Sequence, residues 1–385
     1  MKHFCKYTII ICLIFLNEVI IAQRDSLIVD KRLIFQRTDT NVTFQNKRMQ
    51  NDSLLNNNLE IGAYVSTYYA FYTEDNNSSY VKHATMAARN KQIGLNMLLL
   101  SFNYTSNRLR SNIAIHFGDI AESTWPSKFN MIQEANAGFE VLKHLWVDVG
   151  VFKSHIGLES TQPRENVTSS MTLANVYEPY FFSGVKLTYL INKKLSLQIN
   201  TFNSFNSIIE NNRNKLFGTS IIFSPIKELS ITYNFITGDE TPDSIALKKQ
   251  RYYNNLYFIY QKSKFSFAGE FNLGSQEHSK LLNSNKNTTA YMNSALLLFK
   301  HQTSKFFGFY LRGEWFSDED EILSFGSNMG KYTIGATIGV EFKPLRNMAI
   351  SLETRHLNSE KPNFYYNGLY SNQRNELLFC VDVWY

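Results

Sequence analysis

The sequence predicts an all-β protein, a transmembrane antiparallel up-and-down β-barrel of about 16 strands, from three observations. Apolar and polar residues alternate with a period of two along most of the chain, as in strands whose two faces meet different surroundings. Short turns and long polar loops alternate between these strands. No stretch approaches the roughly 18 uninterrupted apolar residues of a spanning helix, although 44% of the 385 residues are hydrophobic and only 19% are charged.

The alternation is clearest in residues 332–342, where every even-numbered residue is apolar and every odd-numbered residue is Gly, Thr or Glu. A soluble antiparallel sheet also alternates when one of its faces meets water. However, Tyr332 and Phe342 place aromatic rings about 33 Å apart along the strand. A tilt of about 40° converts this distance into the roughly 25 Å height of an outer-membrane barrel's apolar band. The opposite face mixes Gly, Ser, Thr and Asn with isolated charges, which predicts a wet lumen.

The connections between strands give an independent strand count. Short, mostly basic turns lie at seven places, namely residues 105–107, 142–144, 192–194, 224–228, 261–264, 302–305 and 344–347. Longer polar stretches lie at eight places, near residues 74–90, 119–131, 156–179, 204–214, 238–250, 275–289, 317–330 and 358–374. Fifteen connections join sixteen strands, and an even count places both barrel ends in the periplasm. Residues 131–140 and 251–262 are weakly patterned, so a count of about 14 or 18 stays open.

The first 22 residues have the features of a secretory signal peptide. Lys2 and Lys6 precede the apolar stretch 7–16, and cleavage is expected after Ala22. A short buried helix is the alternative interpretation. Removal of the segment also takes away Glu18 and lowers the formal net charge of +6 by one. A charge of this size over a chain of this length gives no indication of nucleic-acid binding.

Residues 23–58 are polar and Asn-rich, which predicts a flexible periplasmic N-terminal extension. An additional strand, or a helix that plugs the lumen, is the alternative. The barrel itself is predicted over residues 59–385. A 16-stranded barrel is wide enough to enclose an aqueous channel.

The chain ends inside an alternating strand, on Val383, Trp384 and Tyr385. A terminal aromatic residue on the final strand resembles the signal by which barrel-assembly machinery recognises its clients. Tyr385 therefore predicts that machinery as a partner. The outward apolar faces predict a location in the cell outer membrane, where lipid and lipopolysaccharide surround the barrel.

Three segments carry a family resemblance. They are Ile61–Tyr64 leading into Tyr68–Tyr72, the strand before His155–Glu159, and Glu178–Val185. These segments resemble the OmpL-like β-barrel porin family of Gram-negative outer membranes, and the likeness spans about residues 59–385. The resemblance implies passive diffusion of small solutes or ions through the barrel, without a defined substrate.

The residues that alternate with the lipid-facing positions are predicted to line the pore. The candidates are Arg108, Arg110, His116, Lys186, Glu270, Lys300, Arg312, Glu314, Glu341, Glu353, Arg355 and Glu376. Rings of charge in a pore set its ion preference, whereas opposite charges on neighbouring strands pair and brace the wall. Both interpretations stay open for the Arg312/Glu314 and Glu353/Arg355 pairs. Arg108 and Arg110 have no acid nearby in sequence, so they predict a preference for anions.

The longest loop, Gly157–Pro179, is the predicted constriction. It carries Glu159, Arg164, Glu165, Asn166, Ser169 and Ser170. We expect this loop to fold into the lumen and narrow it. A second candidate is the loop segment Ala121–Asn130, which contains Trp125.

The sequence offers no catalytic constellation, and an enzyme is not expected. A barrel phospholipase would place His and Ser two residues apart on one strand, but none of the eight His residues is followed by Ser at that spacing. No two His are spaced for a metal site, so no metal and no cofactor are predicted. The acidic run Asp318–Glu321 is interpreted as a solvated loop tip, with divalent-cation binding as the alternative.

The predicted function is that of an outer-membrane porin that lets small solutes or ions diffuse through a water-filled lumen. The alternative is a non-conducting barrel whose extracellular loops bind a partner, as an adhesin or receptor. Occupancy of the lumen distinguishes them, because a lumen sealed by bulky side chains favours the receptor. A homo-oligomer is left open, since trimers are common among 16-stranded porins.

Overall fold

A computed structural model describes residues 58–74, 86–210, 212–281, 288–324 and 330–385. It shows a closed antiparallel barrel of sixteen strands and a separate two-stranded hairpin. The barrel strands are β1 (Leu59–Tyr72), β2 (Ile93–Thr105), β3 (Leu109–Phe117), β4 (Ile132–Leu142), β5 (Leu145–Lys153), β6 (Phe181–Asn192), β7 (Leu195–Phe202), β8 (Leu216–Ile226), β9 (Leu229–Asp239), β10 (Gln250–Lys262), β11 (Phe265–Gln276), β12 (Ala290–Gln302), β13 (Phe307–Ser317), β14 (Thr333–Leu345), β15 (Met348–Ser359) and β18 (Gln373–Trp384). The hairpin strands are β16 (Phe364–Tyr366) and β17 (Leu369–Ser371).

The first and last strands close the barrel. β1 pairs with β2 on one side and with β18 on the other, with Tyr64 opposite Trp384. The N–H of Tyr385 donates to the Ala63 carbonyl at 2.8 Å, which brings both ends of the barrel to one rim. The predicted fold class and the count of sixteen are thus confirmed. The two weakly patterned segments form full strands, β4 and β10.

The barrel inverts the burial of a soluble protein. On β13, Phe309 and Leu311 point outward and are 37% and 42% exposed, whereas Tyr310 and Arg312 between them are 1% and 2% exposed. Because successive side chains of a strand point to opposite faces, the same alternation runs around the wall. The outer surface is an apolar belt, and polar and charged side chains are turned inward.

The two ends of the barrel differ in their connections. Seven connections are tight turns and define the short-turn end, whereas eight longer connections define the long-loop end. In the described parts of the longer connections lie two short α-helices, α1 (Asp119–Thr124) and α2 (Leu173–Tyr177), and a 3-10 turn over Pro163–Glu165. No helix among the described residues is long and apolar enough to cross a membrane. The predicted signal peptide 1–22 and all but Asn58 of the predicted extension 23–58 lie outside the described residues.

The apolar belt predicts a depth-dependent response to charge. Leu297 lies near the middle of β12 and is 66% exposed, whereas Tyr291 lies near its long-loop end and is 61% exposed. We expect Leu297→Arg to lower the free energy of unfolding by about 2–4 kcal/mol and Tyr291→Arg by only about 0–1 kcal/mol, because lipid penalises charge most at its midplane. Equilibrium urea unfolding in lipid vesicles measures both. Equal losses at the two positions would contradict the proposed depth of the belt.

Candidate functional site

The loop between β5 and β6, residues 154–180, lies inside the barrel; we name it the inner loop. Most of its side chains are buried, including Ser154, Leu158, Ser170 and Leu173. It contacts inward-facing residues of β1, β10, β11, β13 and β15. The inner loop therefore crosses the lumen and touches distant parts of the wall.

Three wall carboxylates hold the inner loop by its main chain. Glu270 of β11 accepts from the Leu158 N–H at 2.8 Å, and Glu314 of β13 accepts from the Leu173 N–H at 2.9 Å. Glu353 of β15 accepts from the N–H groups of Ser169 and Ser170 at 2.7 and 3.1 Å. Hydrogen bonds to charged acceptors are about twice as strong as neutral ones. The loop is thus anchored at three separate points of the wall.

Arg312 of β13 is the main side-chain anchor of the inner loop. Its guanidinium donates to Glu159 at 3.1 Å, to the Thr168 hydroxyl at 2.7 Å and to the Ser170 carbonyl at 2.6 Å. It also lies 3.4 Å from Glu314 of its own strand. Because Arg312 is buried, these contacts replace the hydration that its charge has lost.

A chain of ion pairs continues from Arg312 around the wall. Arg355 of β15 binds Glu314 at 2.7 Å and Glu376 of β18 at 3.5 Å. Arg374 of β18 binds Glu376 and, at 2.6 Å, Glu74 beyond the end of β1. Arg355 thus pairs with Glu376 of the neighbouring strand β18 and, across β14, with Glu314 of β13. It does not pair with Glu353 of its own strand, which instead holds the inner loop. Apart from the Arg374–Glu376 pair within β18, these pairs brace the wall across strands.

Amide side chains face the inner loop from the next part of the wall. Asn234, Asn255, Asn272 and Ser294 stand directly opposite one another on β9 to β12. Each donates or accepts along the row, at 2.7, 2.6 and 3.0 Å. The Gly157 N–H of the loop donates to Asn255 at 3.2 Å. The parts of the barrel wall that contact the inner loop are therefore polar at this level of the lumen.

The long-loop end of the lumen is apolar, which differs from the wet lumen predicted throughout. Phe152, Phe202, Leu216, Phe316 and Leu357 lie at the long-loop ends of their strands and are buried in one cluster. The cluster also includes loop side chains, because Leu173 and Ile156 of the inner loop pack into it. Strand alternation assigned these positions to the inner face correctly, but the loops that cover them were not visible in the pattern.

A small cavity borders the inner loop on the opposite, short-turn side. It has a volume of about 30 Å³, which is enough for a water molecule. Its lining includes Ser169 of the loop and Ser351, Glu341, Lys343 and Asp382 of the wall. A cavity thus lies at the seam between the inner loop and the wall strands β13 to β18.

Of the two arginines predicted to favour anions, one is buried in the barrel and the other lies in an exposed turn. Arg110 is buried and forms a two-pronged ion pair with Asp148 of β5, and its guanidinium lies 4.4 Å from the centre of the Trp146 ring. Arg108 lies in the turn before β3, is exposed, and donates to the Glu140 carbonyl at 2.9 Å. The charge of Arg110 is therefore balanced by a partner that is distant in sequence.

The other predicted pore residues are distributed around the wall. Lys300 binds Glu341 at 2.8 Å, and Lys186 lies 4.9 Å from the centre of the Phe152 ring. His116 is buried edge-on against Trp125, at 4.5 Å between ring centres. Trp125 follows α1 in the second candidate loop and also stacks on Phe181 at the start of β6, so this segment packs against the wall.

The predicted constriction residues all lie in the inner loop, and several bind within it. Glu165 accepts from the Ser160 hydroxyl at 2.6 Å, and Asn166 accepts from the Ser160 N–H at 2.6 Å. The N–H of Arg164 donates to Tyr64 of β1 at 3.2 Å. Burial raises the pKa of the Tyr180 phenol, which therefore stays protonated and donates to the Val176 carbonyl at 2.8 Å.

Sequence reasoning missed several residues of this site. Asp148, Arg374, Tyr64 and Tyr310 all face inward, and Tyr310 donates to Glu353 at 3.1 Å. A strict application of the alternation would have placed Asp148, Tyr64 and Tyr310 on the inner face, because each follows an outward apolar residue. Arg374 follows an outward polar residue, Gln373, so its signal was weaker. Their partners follow from strand register, which the pattern of one strand does not contain.

The buried Arg110–Asp148 pair gives a second prediction. We expect Asp148→Ala to lower the free energy of unfolding by about 3–5 kcal/mol, because it leaves a buried guanidinium without its carboxylate. The double variant Arg110→Met/Asp148→Ala should recover a large part of this loss, because it removes the uncompensated charge. Urea unfolding of the wild type, Asp148→Ala, Arg110→Met and the double variant measures the coupling energy between the two side chains. Additive losses in the double variant would show that the two side chains are not coupled.

Comparisons with known proteins agree with this architecture. Residues 58–385 match the family described as "Putative beta-barrel porin-2, OmpL-like". No curated protein sequence matches the chain. The outer membrane channel DcaP of Acinetobacter baumannii superposes with a TM-score of 0.60 and 8% identity, over 85% of this chain and 97% of its own.

Two further solved structures have the same fold. The anion-selective porin from Comamonas acidovorans matches with a TM-score of 0.58 and 9% identity, over 85% of this chain and 99% of its own. In-vitro folded OmpT of Vibrio cholerae, in its trimer form, matches with a TM-score of 0.54 and 12% identity, over 85% and 99%. At these identities the likeness shows the fold, and the ion preference of this chain has to be argued from its own residues.

Proposed function

This chain belongs to the OmpL-like β-barrel porin-2 family, and we propose that it passes small solutes along a lumen that the inner loop narrows. It is a porin of the outer membrane, and passive diffusion is the general role of porins. Orientation follows from the connections, since short turns of such barrels face the periplasm and long loops face outward. The inner loop then enters from the extracellular side and reaches a cavity that faces the periplasmic half.

The anchoring of the inner loop carries this proposal. A loop that only covered the mouth would meet the wall near the rim, whereas Glu270, Glu314 and Glu353 hold this one within the lumen. Carboxylates and Arg312 fix its main chain at several points, so its position is well defined. A fixed loop of this kind sets the width of the pore and the charges that a solute meets.

We propose that the pore is lined on the loop side by Arg164, Ser169 and Ser170, and on the wall side by Glu341 and Glu353. The cavity at the seam borders Arg164, Ser169 and Glu341. Glu353 and Ser170 lie next to it, since Glu353 holds the N–H groups of Ser169 and Ser170. Arg110, His116 and Lys186 belong to the bracing of the wall in this proposal.

Solute efflux from liposomes tests the proposed function. Protein refolded into vesicles loaded with solutes of increasing size should release ions and the smallest solutes and retain larger ones, because the inner loop occupies the lumen. Empty vesicles and vesicles with heat-denatured protein are the controls. Retention of every solute, ions included, by correctly folded barrels would contradict the proposal.

The apolar cluster at the extracellular end favours a second candidate, a non-conducting barrel that binds a partner through its loops. Phe202, Phe316 and Leu357 of the wall pack there with Ile322 and Phe364 of the outer loops. A seal of this kind would block water as well as solutes. The same efflux measurement distinguishes the two candidates, because vesicles that carry a non-conducting barrel would retain ions as well as larger solutes.

The family and the fold indicate a channel rather than an enzyme, and we propose that the chain has no catalytic activity. Among the described residues, no three His, Cys, Asp or Glu side chains are grouped to hold a metal ion.

We further propose contact with lipopolysaccharide, recognition of the Tyr385 strand by barrel-assembly machinery, and self-association in a Gram-negative outer membrane. The trimer form of OmpT is a precedent for the last of these. Residues 1–22 as signal peptide and 23–58 as periplasmic extension remain predictions.

A further inference from the structure

The buried charges of the barrel are predominantly acidic. The whole chain is basic, with 39 Lys and Arg against 33 Asp and Glu. Among the charged side chains that the structure describes as buried, however, thirteen are Asp or Glu and only seven are Arg or Lys. The buried charges of the described residues therefore have an excess of acids, although the chain as a whole is basic.

Six of the seven buried bases are paired with acids, which limits their effect on a passing anion, and the seventh, Lys186, lies against the Phe152 ring. Arg110 pairs with Asp148, Arg251 with Glu240, Lys300 with Glu341, Arg312 with Glu159, Arg355 with Glu314, and Arg374 with Glu74. Each of these pairs is closer than 3.2 Å. A paired guanidinium or ammonium group contributes little net field at a distance.

Two buried acids are held instead by neutral donors. Glu353 accepts from the main chain of the inner loop and from the Tyr310 hydroxyl. Asp382 of β18 accepts from the Tyr64 hydroxyl. Hydrogen bonds from neutral groups orient a carboxylate without cancelling its charge.

These two acids lie along the seam that is proposed as the path. Asp382 borders the cavity beside the inner loop, and Glu353 binds Ser169, which also borders it. Two bases reach the same cavity. Lys343 is 3.0 Å from Glu341, and the Arg164 guanidinium lies 5.3 Å from the centre of the Tyr64 ring. Glu341 and its second partner Lys300 bring the seam to three acids and three bases, so the excess of acid belongs to the buried interior as a whole, and Glu353 and Asp382 are the seam acids that neutral donors hold.

We propose that this pore prefers cations to anions; the inference rests on the proposed function, because it requires that the barrel conducts. An acidic interior walled by low-dielectric protein concentrates cations in the lumen, and a potential of about one kT raises their local concentration about threefold. Charged side chains around a narrow pore set the sign of the permeant ion. The preference for anions predicted from Arg108 and Arg110 has no counterpart here, since Arg108 lies outside the seam and Arg110 is paired.

Reversal potentials in a potassium chloride gradient test the inference. Single channels of the refolded full chain should show a potassium permeability about sevenfold above that of chloride, because a potential of about one kT concentrates potassium about threefold and depletes chloride by the same factor. Glu353→Gln and Asp382→Asn keep the hydrogen-bond acceptors and remove the charges, so each should move the permeability ratio toward unity. Glu319→Gln is the matched control, because this acid is exposed in the loop after β13 and should leave the ratio unchanged.

The outcomes are distinguishable. A conducting wild-type pore that passes chloride at least as well as potassium overturns the cation preference and leaves the proposed function standing. A cation-preferring pore whose ratio is insensitive to both seam variants also overturns the inference, because the acids named here would not be its cause. A folded barrel that carries no current at all overturns the proposed function, and the inference with it.

Discussion

Removal of residues 161–175, with Ser160 joined to Val176 through a short Gly-Ser linker, is expected to raise the single-channel conductance at least about twofold. The deleted segment contains the Ser169 and Ser170 contacts with Glu353 and the Leu173 contact with Glu314. A 16-stranded barrel without an inner obstruction holds an aqueous channel. Conductance of single channels in planar bilayers measures the effect.

A deletion elsewhere in the loops is the appropriate control. Residues 243–247 lie in the connection between β9 and β10 and are exposed at the rim. Their removal should change neither the conductance nor the heat-modifiable migration of the folded barrel on gels. An unchanged conductance in the 161–175 deletion, with the barrel folded, would contradict the assignment of the inner loop as the constriction.

Substitution of Arg312 by Met is expected to release the inner loop while the wall stays folded. Met preserves most of the side-chain volume but cannot donate to Glu159, Thr168 or Ser170. It also leaves buried carboxylates without their guanidinium, which costs about 3–5 kcal/mol. The Arg312 guanidinium points into the lumen and contacts the inner loop. Most of this cost therefore weakens the docking of the loop and not the folding of the barrel wall. We expect larger and noisier single-channel currents and faster proteolysis within the loop.

Two variants test whether Arg312 acts through the loop. Arg108→Met removes an exposed turn arginine, and it should alter neither currents nor proteolysis. Arg312→Met combined with Glu159→Gln removes the uncompensated loop charge, and it should restore part of the loop protection. If Arg312→Met lowered barrel stability while the loop remained protected, the residue would brace the wall only.

The strand order, the number of strands and their inward and outward faces could all be predicted from the sequence. Each strand meets lipid on one face and the interior on the other. The alternation of apolar and polar residues from Phe307 to Trp315 therefore shows, within one strand, which side chains face lipid and which face the interior. Long and short connections record the two ends in the same way. The prediction holds even for β4 and β10, whose weaker patterns are flanked by clear turns.

The contacts of the site could not be predicted in the same way. Arg110 and Asp148 are 38 residues apart, and their meeting depends on the register of three strands. The apolar cluster is another example. Phe202 and Phe316 stand at inward positions near strand ends, where the sequence offers no sign that Leu173 of the inner loop covers them. Burial of an inward residue depends on loops whose paths are set by tertiary contacts.

Thiol modification at Ser169 tests most directly whether solutes pass along the inner loop. In a background in which Cys5, Cys12 and Cys380 are replaced by Ser, Ser169→Cys places a thiol where the loop borders the cavity, beside Ser351 at 2.6 Å between the native hydroxyls. Lys227→Cys, on a side chain that is 87% exposed in the turn between β8 and β9, is the control. A charged thiol-specific reagent should reduce the single-channel current of Ser169→Cys and leave that of Lys227→Cys unchanged. Complete labelling of Ser169→Cys, shown by mass spectrometry, with an unchanged current would contradict a path along this loop.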